Sequence, residues 1–275
     1  MKRIAVLMTC YNRVKTSLAC LEGLFGQRLP DGASLDVFLV DDASPDATGD
    51  KVKEAFPSVF VIRGSGQLYW SKGMRLAWIA ALEHEKTTGL REGGRYTHFL
   101  WVNDDVTLND DALKCLIEDC DCVGGVVVGS FAPNERYESV SYGATKGLPS
   151  GFPLRGMCGM NGNFVLIPRV VYDRVGLICG GYHHQYGDYD YGWMLRRHGF
   201  EYYSSSRFCG VCVEQPERYH HLRGCPLWKR LRLLSDPKGY SLHDACLYQY
   251  RKAGIFRAFL SCLHIIVKVV FAMEP

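Results

Sequence analysis

The sequence lacks a glycine-rich turn after its first apolar run. A dinucleotide-binding fold needs closely spaced glycines there so that the backbone can approach a pyrophosphate, but this turn reads Thr9-Cys10-Tyr11-Asn12-Arg13. A dinucleotide-dependent dehydrogenase is therefore not expected. Repeats and low-complexity stretches are also missing, and 47% hydrophobic with 22% charged residues describes a chain able to bury a core. The start, Met1-Lys2-Arg3-Ile4, enters a strand-like run directly, with neither the long apolar region nor the small-residue cleavage site of a leader peptide. A cytoplasmic location is the expectation. Twelve cysteines would suit a disulfide framework only in a short secreted chain. Here most lie inside apolar runs, as Cys115 and Cys262 do, and reduced thiols are expected.

Acidic charge is scarce at the end of the chain. From Arg218 onward there are ten Lys or Arg against three Asp or Glu, although the whole chain carries only +3. This basic segment predicts an anionic surface, and membrane lipid fits better than nucleic acid. Residues 255–273 are strongly apolar but interrupted by Arg257, His264 and Lys268, which favours a helix lying in the membrane interface over one that spans it. Packing of that helix on the rest of the protein is the alternative. With 275 residues, the division expected is a large α/β domain over 1–217 and a basic, amphipathic helical extension over 218–275.

Apolar runs at 4–8, 37–40, 59–62, 98–102, 123–128 and 163–167 predict strands. Helical spacing predicts helices over 17–25, 72–85, 110–118 and 189–198, the last stopped by Gly199 with Asp188 as its N-cap. Such alternation implies a mostly parallel sheet flanked by helices. The long Gly-, Pro- and Ser-containing stretch 130–160 reads as an excursion near the active site, serving binding or acting as a lid.

Three acidic segments carry the chemistry. The strand-like run Phe99-Leu100-Trp101-Val102 ends in Asn103-Asp104-Asp105, and ligands of open α/β sheets gather at strand carboxyl ends. Carboxylates there suit a hard divalent cation such as Mg2+ or Mn2+, shared with substrate phosphates. A turn or helix cap is the structural alternative. Asp41-Asp42 ends a second strand and can accept from a nucleoside or simply close an Asx-turn into Pro45. In Tyr186-Gly187-Asp188-Tyr189-Asp190-Tyr191-Gly192, aromatic walls would raise a carboxylate's pKa towards that of a working base, whereas a helix N-terminus would lower it.

Taken in order, Met8-Thr9-Cys10-Tyr11-Asn12-Arg13, Val40-Asp41-Asp42-Ala43-Ser44, Asn103-Asp104-Asp105 and Gly187-Asp188-Tyr189-Asp190 resemble the family 2 glycosyltransferases. Within that family, Gly66-Gln67-Leu68-Tyr69-Trp70-Ser71-Lys72-Gly73-Met74 and Met160-Asn161-Gly162-Asn163-Phe164 look like the bacterial surface-polysaccharide branch, including rhamnosyltransferase-like enzymes. The resemblance spans about residues 3–215. It implies a GT-A fold, a UDP- or dTDP-linked sugar donor, a divalent metal, and inversion at the anomeric carbon by direct displacement. It places Thr9, Tyr11 and Arg13 at the base and ribose, Asp41 or Asp42 on the nucleoside, Asp105 on the metal, and Asp188 as general base, with Asp190 as the alternative.

Trp70, Lys72, Gly73, Asn103 and Asp104 join the donor side, and Asn161, Asn163, Tyr186 and Trp193 the acceptor side. Asn103 stands where the family's Asp-x-Asp triplet has an acid, leaving the metal more dependent on the donor diphosphate, with Asn103, His220 or His221 as further candidate ligands.

Weaker signals remain. Arg155 is a candidate partner for a diphosphate, and Tyr69-Trp70 and Tyr182-His183-His184-Gln185-Tyr186 are candidate sugar-stacking surfaces. A sugar nucleotidyltransferase is the alternative enzyme, although it would normally show a Gly-rich basic loop near the first strand. A non-catalytic zinc module is the other alternative: Cys209-Gly210-Val211-Cys212 has ligand spacing with His220, His221 and Cys225 following, although core packing of both cysteines is the plainer reading.

Overall fold

Strand β1 (Arg3–Cys10) is fully buried from Ile4 to Met8, as a strand covered on both faces must be. In the computed structural model, which describes residues 2–88, 94–157, 159–213, 222 and 224–272, β1 pairs in parallel with β2 (Ser34–Asp41) on one side and β4 (His98–Asn103) on the other. β3 (Phe60–Arg63) extends the parallel half beyond β2. The order then continues from β4 through β8 (Phe164–Pro168), β6 (Val126–Ala132) and β9 (Tyr202–Val211) to the two-residue β5 (Thr107–Leu108), while β7 (Leu154–Arg155) also pairs with β9. β8 runs antiparallel to both neighbours, and β6 and β9 are parallel to each other. The expected α/β architecture is thus present, with β8 and the two-residue β5 and β7 reversed.

Side chains alternate across the sheet and build two cores. On one face Val6, Met8, Val37 and Val102 pack with α1 (Val14–Phe25) and α4 (Ala112–Val123). On the other, Leu7, Phe38, Phe99 and Trp101 meet Met74, Ala77, Trp78 and Ala81 of α3 (Tyr69–Thr87), and Tyr191 and Leu195 of α6 (Gly187–Arg197). Two short helices, α2 (Thr48–Ala55) and α5 (Arg169–Val175), complete these layers. Gly73 lets α3 approach β1, because a Cβ there would lie 2.3 Å from Thr9 Oγ1.

Several boundaries differ from the sequence pattern. Val123 closes α4, Gly124 caps it with φ 62°, and β6 begins three residues later than expected. Asp188 is not the cap of α6: Tyr186 holds that place with φ 65°, and the helix starts before Asp188. Cys209 and Cys212 are buried in the core on and just after β9, as strand packing predicts, while His220 and His221 lie outside the described residues.

The extension forms α7 (Leu227–Arg232) and α8 (Leu242–Val270). Its link to the sheet domain is polar. Asp244, fully buried, accepts from the backbone N–H groups of His183, His184 and Gln185, and from the Nδ1 atoms of His183 (3.2 Å) and His243 (2.9 Å). Arg251 Nε donates to Asp190 at 2.8 Å, and Tyr186 stacks on Tyr248 with centroids 5.1 Å apart. Asp190 is only 1% exposed, so Arg251→Ala leaves its charge with Tyr182 alone. The expected cost is about 1–3 kcal/mol, read as a lower urea midpoint with an unchanged slope.

Candidate active site

The carboxyl ends of β1, β2, β3 and β4 lie along one edge of the sheet, which carries Tyr11 and Arg13, Asp42, Gly66 and Asn103–Asp105. The reversed β8 brings its amino end to the same edge, so Asn161–Asn163 join them. With Tyr69, Trp70, His184 and Asp188, these residues line a cleft of about 380 Å³.

Arg13 sits between the two acids. Its Nη1 donates to Asp104 Oδ1 at 3.1 Å and to Asp105 Oδ2 at 2.9 Å, and Ser17 Oγ donates to the other Asp104 oxygen at 3.0 Å. Arg13 therefore lines the cleft as counter-ion to the acid pair, not as a neighbour of a base and ribose alone. Burial pushes the Asp104 carboxyl up to about 6; the charge of Asp105 adds to this, while Arg13 and Ser17 pull it back. Neither acid caps a helix, since α4 starts only at Ala112.

Asn103 is already engaged. Its Oδ1 accepts from Trp70 Nε1 at 2.7 Å, and its Nδ2 donates to Asn163 Oδ1 at 2.6 Å. This corrects its place among the candidate metal ligands: the carboxamide braces Trp70 and the start of β8. The remaining donors are oxygen atoms of Asp105 and Asp104 facing one positive group, a set that suits a hard divalent cation.

Asp188, half-buried and lining the same cleft, accepts from Gly162 N–H at 2.9 Å and from its neighbour Tyr189 N–H at 2.9 Å. Burial outweighs these bonds and raises its carboxyl to about 6. Asp190 is corrected as the alternative base: two positions further along the helix, it points into the Tyr182 and Arg251 contacts away from the cleft. Gly162 is fixed by the same geometry, since a Cβ would stand 2.4 Å from Trp70 Cζ2 and 3.3 Å from Asp188 Cβ. Gly162→Ala is expected to cost about 1–3 kcal/mol of stability and to lower turnover more than its shift in Tm accounts for.

Other candidates fall elsewhere. Asp42 reaches the cleft, but its carboxylate accepts from Gly66, Leu68 and Tyr69 N–H at 2.7, 2.9 and 3.0 Å and so sets the entry to α3. Asp41 accepts from Ser44 N–H and Oγ behind the cleft wall. Lys72, Gly73, Tyr186 and Trp193 do not line the cleft; Trp193 lies under the Arg197 guanidinium, 4.9 Å away. Arg155, on β7, pairs with Glu201, and among the described residues none of 130–157 lines the cleft, while β7 pairs with β9. Tyr69 and His184, read from the sequence as candidate stacking surfaces, line the cleft, and Cys10, Gly66, Gln67 and Lys238 line it without having been singled out as site residues. Gln67 and Tyr69 were visible beside Trp70, but Lys238 arrives from the extension with no local signal.

A mixed, mostly parallel sheet whose carboxyl edge gathers these acids defines the GT-A class of glycosyltransferases. Residues 5–142, half of the chain, match the family described as Glycosyl transferase family 2, and the chain belongs to that family. Among solved structures, it is similar to the mannosyltransferase PcManGT from Pyrobaculum calidifontis in complex with GDP-Man and Mn2+, with 16% identity, TM-score 0.57, and coverage of 99% of this chain and 76% of that one. It is also similar to S. aureus TarS 1-349 in complex with UDP, with 14% identity, TM-score 0.57, and coverage of 98% and 81%. Among curated proteins none matches the chain.

Proposed function

We propose that this glycosyltransferase moves a hexosyl or deoxyhexosyl unit, with inversion, from a UDP- or dTDP-linked donor to a hydroxyl of a glycan or lipid-linked acceptor in bacterial cell-surface polysaccharide synthesis. The observation that carries the reading is a single cleft lined both by the acid pair Asp104 and Asp105 and by Asp188, whose carboxyl is raised to about 6. The catalytic unit is residues 1–217, and residues 218–275 hold it peripherally against the cytoplasmic face of the plasma membrane.

Thr9, Tyr11 and Gln67 border the nucleoside, while Trp70 and Asn161 offer an aromatic face and an amide to the sugars. Asp188 takes the acceptor hydroxyl proton as that oxygen bonds to the anomeric carbon, and the bond from that carbon to the diphosphate oxygen breaks on the opposite face. Asp105 is the principal holder of a divalent cation, Mg2+ or Mn2+, which when bound neutralises charge on the leaving diphosphate. Asn103 ties Trp70 to Asn163, so these lining groups are held in place before substrate arrives. Thermal stabilisation by UDP-, dTDP- and GDP-sugars with Mg2+ or Mn2+ tests the reading. Stabilisation by none of them would defeat it.

A further inference from the structure

By length and composition Leu242–Val270 is the one helix among the described residues able to cross a membrane. Its geometry says otherwise. Gly254 breaks it with φ 83° and ψ 179°, a conformation that only glycine adopts readily. Cys246 and Cys262, eight residues to either side of Gly254, lie close enough that burial and the Cys246 thiol together raise the pKa of Cys262. Tyr240 and Lys268, fourteen to either side, are also together, with the ammonium 5.4 Å from the ring centre. The segment is therefore an antiparallel hairpin. Its arms, 242–253 and 255–270, are about 18 and 24 Å long at the helical rise, shorter than a bilayer core of about 30 Å.

The second arm has three faces. Ala258 and Val269 are buried. Arg257, Ser261, His264 and Lys268 recur at spacings of four, three and four and form one narrow polar stripe. The rest is apolar and open: Ile255 is 77% exposed, Phe256 69% and Phe259 64%, with Leu263, Ile266 and Val267 continuing the face. Helix α7 extends it, since Arg230 donates to the carbonyls of Val269 and Val270, and Leu227, Trp228 and Leu231 are exposed. Lys229 and Arg232 flank the Trp228 ring, and no acidic residue lies between Asp244 and Glu274.

From this geometry we infer that the second arm of α8 and helix α7 together form an in-plane anchor that inserts one apolar face into an anionic leaflet without crossing it. The inference rests on the membrane part of the proposed function and adds its form. A wide apolar sector edged by Arg and Lys, with a tryptophan at the rim, is the chemistry of an interfacial helix on anionic lipid. The first arm holds that anchor to the catalytic wall through Asp244 and Arg251, so the cleft keeps a fixed attitude to the membrane plane.

The test uses the full chain with phosphatidylcholine vesicles, with and without phosphatidylglycerol. Wild type should sediment only with the anionic vesicles, salt should weaken this, and an alkaline carbonate wash should release it. The double variant Phe259→Glu, Leu263→Glu should lose partitioning roughly tenfold or more for each residue, yet keep its thermal response to nucleotide sugar and metal. Wild type staying in the supernatant, or the variant sedimenting like wild type, overturns the inference. So does retention through the carbonate wash, or a wild-type dimer that the variant makes monomeric. Loss of the nucleotide-sugar response with sedimentation intact counts against the donor reading alone.

Discussion

Asp188→Asn is expected to lower kcat roughly 10²- to 10⁴-fold, the range that loss of a positioned general base produces. Asparagine keeps the shape and an acceptor for one of the two N–H groups, from Gly162 and Tyr189, but cannot take the proton. The pH profile makes the assignment specific. A carboxyl raised to about 6 is protonated below that value, so wild-type turnover should fall as pH drops through about 6 and level off above it. Asp104 also titrates near 6 but remains in the variant, so an acid limb that survives the substitution belongs to Asp104. A variant turning over within a factor of a few of wild type would remove Asp188 from the mechanism.

The second large effect is expected at Asp105. Arg13 bridges both acids, but Asn103 is committed to Trp70 and Asn163 and the more deeply buried Asp104 is also held by Ser17, so Asp105 is the acid on which a cation and its diphosphate most depend. Asp105→Ala should cut turnover roughly a thousandfold, as loss of several kcal/mol of charge stabilisation implies. It should also abolish the additional stabilisation that Mn2+ or Mg2+ gives with a nucleotide sugar. Arg13 retains Asp104, so the apoprotein should melt close to wild type by circular dichroism. An unchanged metal response would show that the cation, if used, is held elsewhere.

Much of this was legible in the sequence because the parallel half of the sheet is buried on both faces. Strands of that kind appear as unbroken apolar runs, and β1, β2 and β4 end abruptly where the polar cleft begins, at Tyr11, Asp42 and Asn103. Helix α3 showed its period because Met74, Ala77, Trp78 and Ala81 line one face. β9 was hidden by Ser204–Ser206, whose burial depends on bonds to distant groups, such as Ser206 N–H to Asp119. Asp188 and Asp190 were not separable because residues two apart on a helix face different ways, and only the packed structure says which faces substrate. The fold of α8 at Gly254 was equally invisible, since an apolar count treats a rod and a hairpin alike.

The three contacts that join the first arm of α8 to residues 183–190 have a bearing on engineering. They cap the loop that carries His184 and neutralise the acid two residues after Asp188. The terminal segment is thus not a cassette that can be swapped between relatives or trimmed at will. Chimaeras that exchange it are expected to need residues 181–190 from the same parent.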